Sequence, residues 1–488
     1  MRILYLDLDT LRPDHLSCYG YHRRTSPNID GIAREGVRFE RVHCSDAPCL
    51  PSRAALMSGR FGIHTGVVGH GGTAADMRLE GAGRSFRSTL SQTSLPAFLK
   101  QQGLYTTFIG GFAERHSSYT FYAGFREIHD TGMGGLESAE HVTPTVLDWI
   151  ERHGDQDQWY LHVNYWDPHT PYRAPESFGN PFANEPLPDW YSGDLVQRHR
   201  RLVGPHTAQE LIMFTNKPNP RFPRQVGEIK DQSDLRRVVD GYDCGIAYMD
   251  GHIGQVLAAL EAKGVGDDLA IVVSADHGEN QGELGLWAEH ATADEITCRI
   301  PLIIRWPGGV KNHVDRGLHY NLDLAPTFAA LLGQPPKPNW DGQSFAPAIL
   351  EGAACGRDYL VLSQCAHVCQ RAARWEDWLY IRTWHDGFHL FPEEMLFNVT
   401  SDPHEERDLA RERPDLCQQG QQILDEWHAE MMRTMPEGYN VDPMETVLAE
   451  GGPSHAKGQL RAYCERLEAT GRGYAIAELK RRHPREFL

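Results

Sequence analysis

The stretch Cys49-Leu50-Pro51-Ser52-Arg53 places a thiol, a hydroxyl and a guanidinium close together. Pro51 suits a first helical position, and Ala54 to Met57 are strong helix formers that Gly59 terminates. Cys49 is therefore expected at the positive end of a helix dipole, beside Arg53. That is a setting for an anion, or for a group that becomes one. Asp7 and Asp9 stand two apart on an apolar strand, so both carboxylates face one side. Acids at a strand end also serve as caps or salt-bridge partners, and the pair alone does not name a metal. Asp276-His277-Gly278-Glu279 follows a second apolar strand, Leu269 to Ser274. An acid and an imidazole there lie at a strand's carboxyl end, where open α/β sheets bind ligands. Asp167-Pro168-His169 follows a third apolar run, Trp159 to Tyr165, whose own His162 reads as a core histidine.

These groups act together only if several strand ends and one helix start converge. The elements between them alternate. Ser94 to Gln102 reads as a helix and Tyr105 to Ile109 as a strand. Ile246, Met249, Ile253, Val256 or Leu257, and Leu260 give a helical period over 235–263, closed by Gly264. Such alternation predicts an α/β fold, with helices on both faces of a mostly parallel sheet. Arg60 to Met77 is glycine-rich; its His64 and His70 either line a pocket or lie on the surface. Residues 173–233 are rich in proline, aromatics and charge. They are expected as an insertion near the pocket mouth. The run Arg198-His199-Arg200-Arg201 within them reads as a solvated face that could also attract an anion.

With 488 residues the chain can bury a large core and form more than one domain. A net charge of −18 argues against general nucleic-acid binding and disfavours a dense polyanion, but suits a small anionic substrate. The 10 cysteines are scattered without paired metal spacing. Cys365 and Cys369, four apart, would share one face of a helix. The chain opens directly on a strand, and nowhere carries about 18 consecutive apolar residues. A cytoplasmic setting without a membrane partner is the expectation, with most thiols free.

Cys49-x-Pro51-Ser52-Arg53, continued by Leu56-Met57-Ser58-Gly59-Arg60, resembles the modification motif of the type I sulfatases, in which the cysteine becomes a formylglycine aldehyde. Asp9-Thr10-Leu11-Arg12-Pro13-Asp14-His15, Asp167-Pro168-His169-Thr170-Pro171-Tyr172, Asp276-His277-Gly278-Glu279 and Asp402-Pro403-His404-Glu405 are similar to further segments of that family, in the same order. The resemblance covers roughly residues 1–440. It implies an alkaline-phosphatase-like sheet flanked by helices, with a smaller C-terminal α+β subdomain. The expected division is 1–350, 351–440 and an extension over 441–488.

The resemblance also implies sulfate monoester hydrolysis of a small anionic substrate, a sugar or aryl sulfate, with the hydrate of formylglycine 49 as nucleophile. One divalent cation would be held by Asp9, Cys49, Asp276 and His277. Many members carry a second acid where Thr10 stands, and Asp7 is the candidate replacement. Arg53 would add fixed charge, and His169 would assist the leaving oxygen. Many members have Gly-Lys-Trp-His where this chain has Gly110-Gly111-Phe112-Ala113-Glu114-Arg115-His116. Arg115 is then the candidate charge on the substrate and His116 the base. No lysine lies near His290, which becomes its substitute, while His70 is a further candidate for substrate contact. Ca²⁺ suits the oxygen-rich ligands, and the histidine makes Mn²⁺ or Mg²⁺ credible. A formylglycine-generating enzyme would be a partner, and self-association through the extension stays open. The rival readings are a phosphodiesterase or phosphonate monoester hydrolase on the same scaffold, and an idle binding protein with unmodified Cys49.

Overall fold

A computed structural model describes residues 1–80, 89–266 and 268–488. In chain order its strands are β1 (Arg2–Leu8), β2 (Val37–His43), β3 (Asp46–Ala47), β4 (Tyr105–Ile109), β5 (Glu127–His129), β6 (Trp159–Tyr165), β7 (Leu269–Ser274), β8 (Asn280–Gln281), β9 (Trp287–Glu289), β10 (Arg299–Arg305), β11 (His313–Tyr320), β12 (Tyr359–Gln364), β13 (Cys369–Trp375), β14 (Trp378–His385) and β15 (Glu394–Asn398).

The main sheet has the order β11-β2-β10-β7-β1-β6-β4-β5. Within it β10 runs against its neighbours β7 and β2, and the other pairings are parallel. The central strands β1, β6 and β7 are buried along their whole length, which is why they read as continuous apolar runs. Their register sets Asp7 opposite both Asn164 and Ser274. Three carboxyl ends are thereby level. They release Asp9, the His169 turn and Asp276-His277 at one edge of the sheet.

The expected helices form, with shifted starts. The long one spans Gln232–Ala262, and Asp231 caps it by accepting from the amides of Ser233 and Asp234. The helix that carries the Cys49 motif spans Cys49–Ser58 and begins at Cys49 itself. Pro51 therefore occupies the third helical position, not the first. All ten residues of this helix are buried, and Gly59 ends it at φ 68°.

A second sheet has the order β15-β14-β13-β12-β3. Asp46 pairs with Ser363 and Ala47 with Gln364, so the strand leading into Cys49 belongs to the C-terminal sheet. Cys365 and Cys369 flank the turn between β12 and β13, both buried, and are not on a helix. The helix Pro414–Arg433 covers this sheet with Leu424 and Trp427. The extension is folded. Its Met444 and Val447 cluster with Val68, Cys365 and Cys369, and its Leu460, Tyr463 and Leu467 cluster with Val203 and Phe388. Gly204 donates its amide to the Tyr463 hydroxyl at 2.7 Å, which ties the extension to the 173–233 insertion. The basic run in that insertion is not one solvated face. Arg198 and Arg201 are exposed, His199 is buried, and Arg200 pairs with Glu228. Among the described residues, no helix is long and apolar enough to cross a membrane.

Candidate active site

The helix Cys49–Ser58 starts where three strand ends meet. Cys49 Sγ lies 3.1 Å from His277 Nε2, and the ligand atoms of Asp9, Cys49, Asp276 and His277 all fall within 4.8 Å of one another. His277 Nδ1 donates to the Gly278 carbonyl at 2.8 Å, which turns Nε2 toward the group. Ser52 explains its place in the motif. Its hydroxyl donates to the Asp276 carbonyl at 2.6 Å and accepts from Asn321 Nδ2 at 2.9 Å, locking the helix to the Asp276 loop.

Arg53 is fully buried among three carboxylates. It reaches Asp7 through Nε at 2.7 Å and Nη2 at 3.0 Å, Asp9 through Nη1 at 2.9 Å, and Asp276 through Nη1. The Phe112 ring centroid stacks 4.5 Å from the guanidinium. Asp7 and Asp9 do face one side, but Asp7 turns to Arg53 and to His162 Nε2 at 3.2 Å. Both Asp7 oxygens are thereby paired with Arg53 and His162. Thr10 itself holds the left-handed φ of 54°, uncommon for a β-branched residue. Its amide donates to Asp276 Oδ1 at 3.1 Å, and its buried hydroxyl oxygen has no partner.

The four-residue group fits a divalent cation. Both Asp9 oxygens are buried and accept no hydrogen bond, which leaves them for another positive partner. Burial and the facing Asp276 carboxylate push Asp9 up to about 7. Burial also acts to raise Asp276, but Arg53 and His277 outweigh it and hold that carboxyl well below the usual range. Burial, with Asp9 and Asp276 beside it, pushes the Cys49 thiol up to about 12 against the opposing pull of His277.

Around this centre stands a wall of imidazoles. His70, His116 and Cys49 bring their ligand atoms within 4.8 Å of one another, as do Cys49, His277 and His290. The His290 ring lies 4.1 Å from His277 and 5.2 Å from His169. His169 Nε2 is 3.9 Å from Asp9 Oδ1. Burial lowers His70, His169 and His290 and takes His116 down to about 3. Arg115, next to His116, is exposed. His64 lies outside the group, bound to Asp341 at 2.7 Å and the Met431 carbonyl at 3.0 Å. His162 is a core residue, paired with Tyr160 and Asp7.

Four participants carried no signal in the sequence. His455, from the extension, stacks 4.3 Å from His367 and sits 3.2 Å from His70 Nδ1. Glu289 holds His290 Nε2 at 2.9 Å, and His206 from the insertion lies 3.0 Å from the same carboxylate. Only the fold brings them together. Glu279 is a further structural member. It accepts from the Tyr172 hydroxyl at 2.8 Å and the Thr170 amide at 3.3 Å, which fixes the His169 turn against the Asp276 loop.

The family model described as Sulfatase matches residues 2–334. Choline-sulfatase of Rhizobium meliloti (strain 1021) is 26% identical over 441 residues, covering 79% of this chain and 77% of that protein. Iduronate 2-sulfatase of Mus musculus is 26% identical over 410 residues, with 71% of each covered. A solved structure of BT4656 in complex with its substrate D-glucosamine-2-N,6-O-disulfate superposes with a TM-score of 0.69 at 19% identity, covering 90% of this chain and 99% of that one. The phosphonate monoester hydrolase of Silicibacter pomeroyi gives 0.68 at 21%, covering 91% and 97%. At such identities the two structures speak for the α/β fold alone. The match of the family model over most of the chain adds descent to the geometry, and the chain belongs to the sulfatase family.

Proposed function

We propose that this chain hydrolyses the sulfate monoester of an alcohol, a sugar or a phenol, with formylglycine made from Cys49 and one divalent cation held by Asp9, Asp276, His277 and position 49. The observation that carries this reading is the seat of Cys49 at a helix start, 3.1 Å from His277 and facing two carboxylates. The buried thiol is a poor nucleophile as it stands, which favours its conversion. When present, formylglycine hydrate offers a hydroxyl toward sulfur, and the cation draws charge from the ester oxygens. Ca²⁺ suits the two carboxylates, with Mn²⁺ or Mg²⁺ as alternatives.

The chain's own residues then divide the work. Arg53, fixed by Asp7, supplies positive charge at the floor of the site. His169 and His290 stand on one wall, where a proton passes to the departing oxygen. His116, unpartnered at Nε2, would accept a proton from a hydroxyl held at position 49. His70 and Arg115 face the substrate nearer the mouth. Cys49 is only 2% exposed, so a formylglycine-generating enzyme must reach it before the chain folds.

Mass spectrometry of the Cys49 peptide, together with rates on matched sulfate esters and phosphonate monoesters, tests the proposal. An aldehyde at position 49 and a preference for sulfate are expected. An unmodified thiol in fully active protein, or a preference for phosphonate, overturns it.

A further inference from the structure

Beside the catalytic pocket lies a second convergence of ligand-type atoms that the proposed reaction does not use. His206, Glu289 and His367 are each more than nine-tenths buried, and their donor atoms all lie within 4.8 Å of one another. His206 Nε2 is 3.0 Å from Glu289 Oε2, and His367 Nε2 is 3.8 Å from Oε1. The three come from unrelated parts of the chain: the insertion, the end of β9, and the turn between β12 and β13. Among the described residues, the ion-pair partners of Glu289 are imidazoles alone, these two and His290. A buried carboxylate without arginine or lysine beside it calls for another source of positive charge.

Two further observations point the same way. His206 Nε2 also lies 2.9 Å from Met213 Sδ, so a carboxylate oxygen and a thioether sulfur meet at an atom that bears at most one hydrogen. The backbone is held in the left-handed region at His206, φ 57°, and at Ala288, φ 53°, the residue before Glu289. Such conformations persist where the surroundings impose them, and they cluster at ligand sites. Here the imposition is visible. The His206 amide donates to the Met213 carbonyl at 3.0 Å, and the Trp287 amide donates to the His206 carbonyl at 2.8 Å.

We propose that His206, Glu289 and His367 form a second cation site, for a zinc-class divalent transition metal. Two imidazoles and one carboxylate suit Zn²⁺ better than Ca²⁺ and leave a position open for water or a substrate oxygen. The Asp9 and Asp276 group is richer in oxygen, so the two sites take different ions. They stand one imidazole apart, because Glu289 also holds His290, whose ring lies against His277. The cation clasps the insertion and the C-terminal sheet to the wall of the pocket.

The test is a calorimetric titration of Zn²⁺ into full-length, chelator-treated protein already saturated with Ca²⁺. Wild type is expected to take up one equivalent of Zn²⁺, and Asp9→Asn to take up the same. Glu289→Gln and His367→Gln are expected to lose that equivalent and the thermal stabilisation by Zn²⁺ that accompanies it. No uptake by Ca²⁺-saturated wild type, uptake unchanged in His367→Gln, or uptake abolished by Asp9→Asn each overturns the proposal. If Glu289→Gln does not fold, wild type and His367→Gln decide it.

Discussion

Arg53 grips Asp7 with both arms of its guanidinium, Nε on Oδ2 at 2.7 Å and Nη2 on Oδ1 at 3.0 Å. The fork fixes the plane of a buried charge whose remaining nitrogen faces Asp9 and Asp276. Asp7 should then act as a positioning residue. Asp7→Asn should keep the cation of the Asp9 site, lower the unfolding free energy by about 3 kcal/mol and depress kcat. Asp9→Asn should lose the cation. Metal analysis beside urea denaturation separates the two, and loss of the cation in Asp7→Asn would return Asp7 to the ligand set.

Cys49→Ala removes one buried sulfur from a helix anchored independently by Ser52 and Asn321. The fold should survive with a near-wild-type Tm. Turnover should fall by more than about 10⁴-fold, as expected for loss of a covalent nucleophile. Activity within tenfold of wild type would exclude position 49 from the chemistry.

His169 and His290 lie on one wall with ring centroids 5.2 Å apart. Their protonating role should be worth about 10²–10⁴-fold for a poor leaving group and little for a nitrophenol. Plots of log kcat/KM against leaving-group pKa should steepen in His169→Ala and in His290→Ala. Parallel lines would reduce either residue to positioning the sulfate.

His455 reaches the nucleophile helix through one intermediary: its Nε2 is 3.2 Å from His70 Nδ1, and the Leu50 amide donates to His70 Nε2 at 3.4 Å. His455→Ala should leave the cation and Tm nearly unchanged and raise KM by roughly tenfold, by loosening the mouth. An unchanged KM would confine the extension to a structural role.

Glu283 ties the loop after β8 to the chain after β1 through Arg12, with Nη2 at 2.9 Å from Oε1, and His404 joins at 3.0 Å. Burial acts to raise this carboxyl, but Arg12 and His404 outweigh it and bring it down to about 2. An acid depressed in the folded state stabilises it above the unfolded value, and that stability is lost as pH falls through the folded value. The window is therefore about pH 4.5 to 2, with about 3 kcal/mol at stake. Unfolding free energy measured across that window should fall more steeply in wild type than in Glu283→Gln. Equal slopes would dismiss the linkage.

The sequence by itself determined the central strands and the groups at their ends. β1, β6 and β7 are buried on both faces, so their apolar runs were legible, and Asp9, His169 and Asp276-His277 follow directly from where those runs stop. The Cys49 motif was legible because its residues are contiguous. Local pattern could not say which way Asp7 turns. Strand alternation put it on the same side as Asp9, but only the arrival of Arg53 from another element decided that it would pair with a guanidinium. Nor could it place His206, Glu289, His367 and His455 together. They lie in segments far apart in the chain, and their meeting depends on β3 joining the C-terminal sheet and on the extension folding back over His70. The thiol's high pKa was equally out of reach, because it arises from burial and from two facing carboxylates, which are properties of the assembled site.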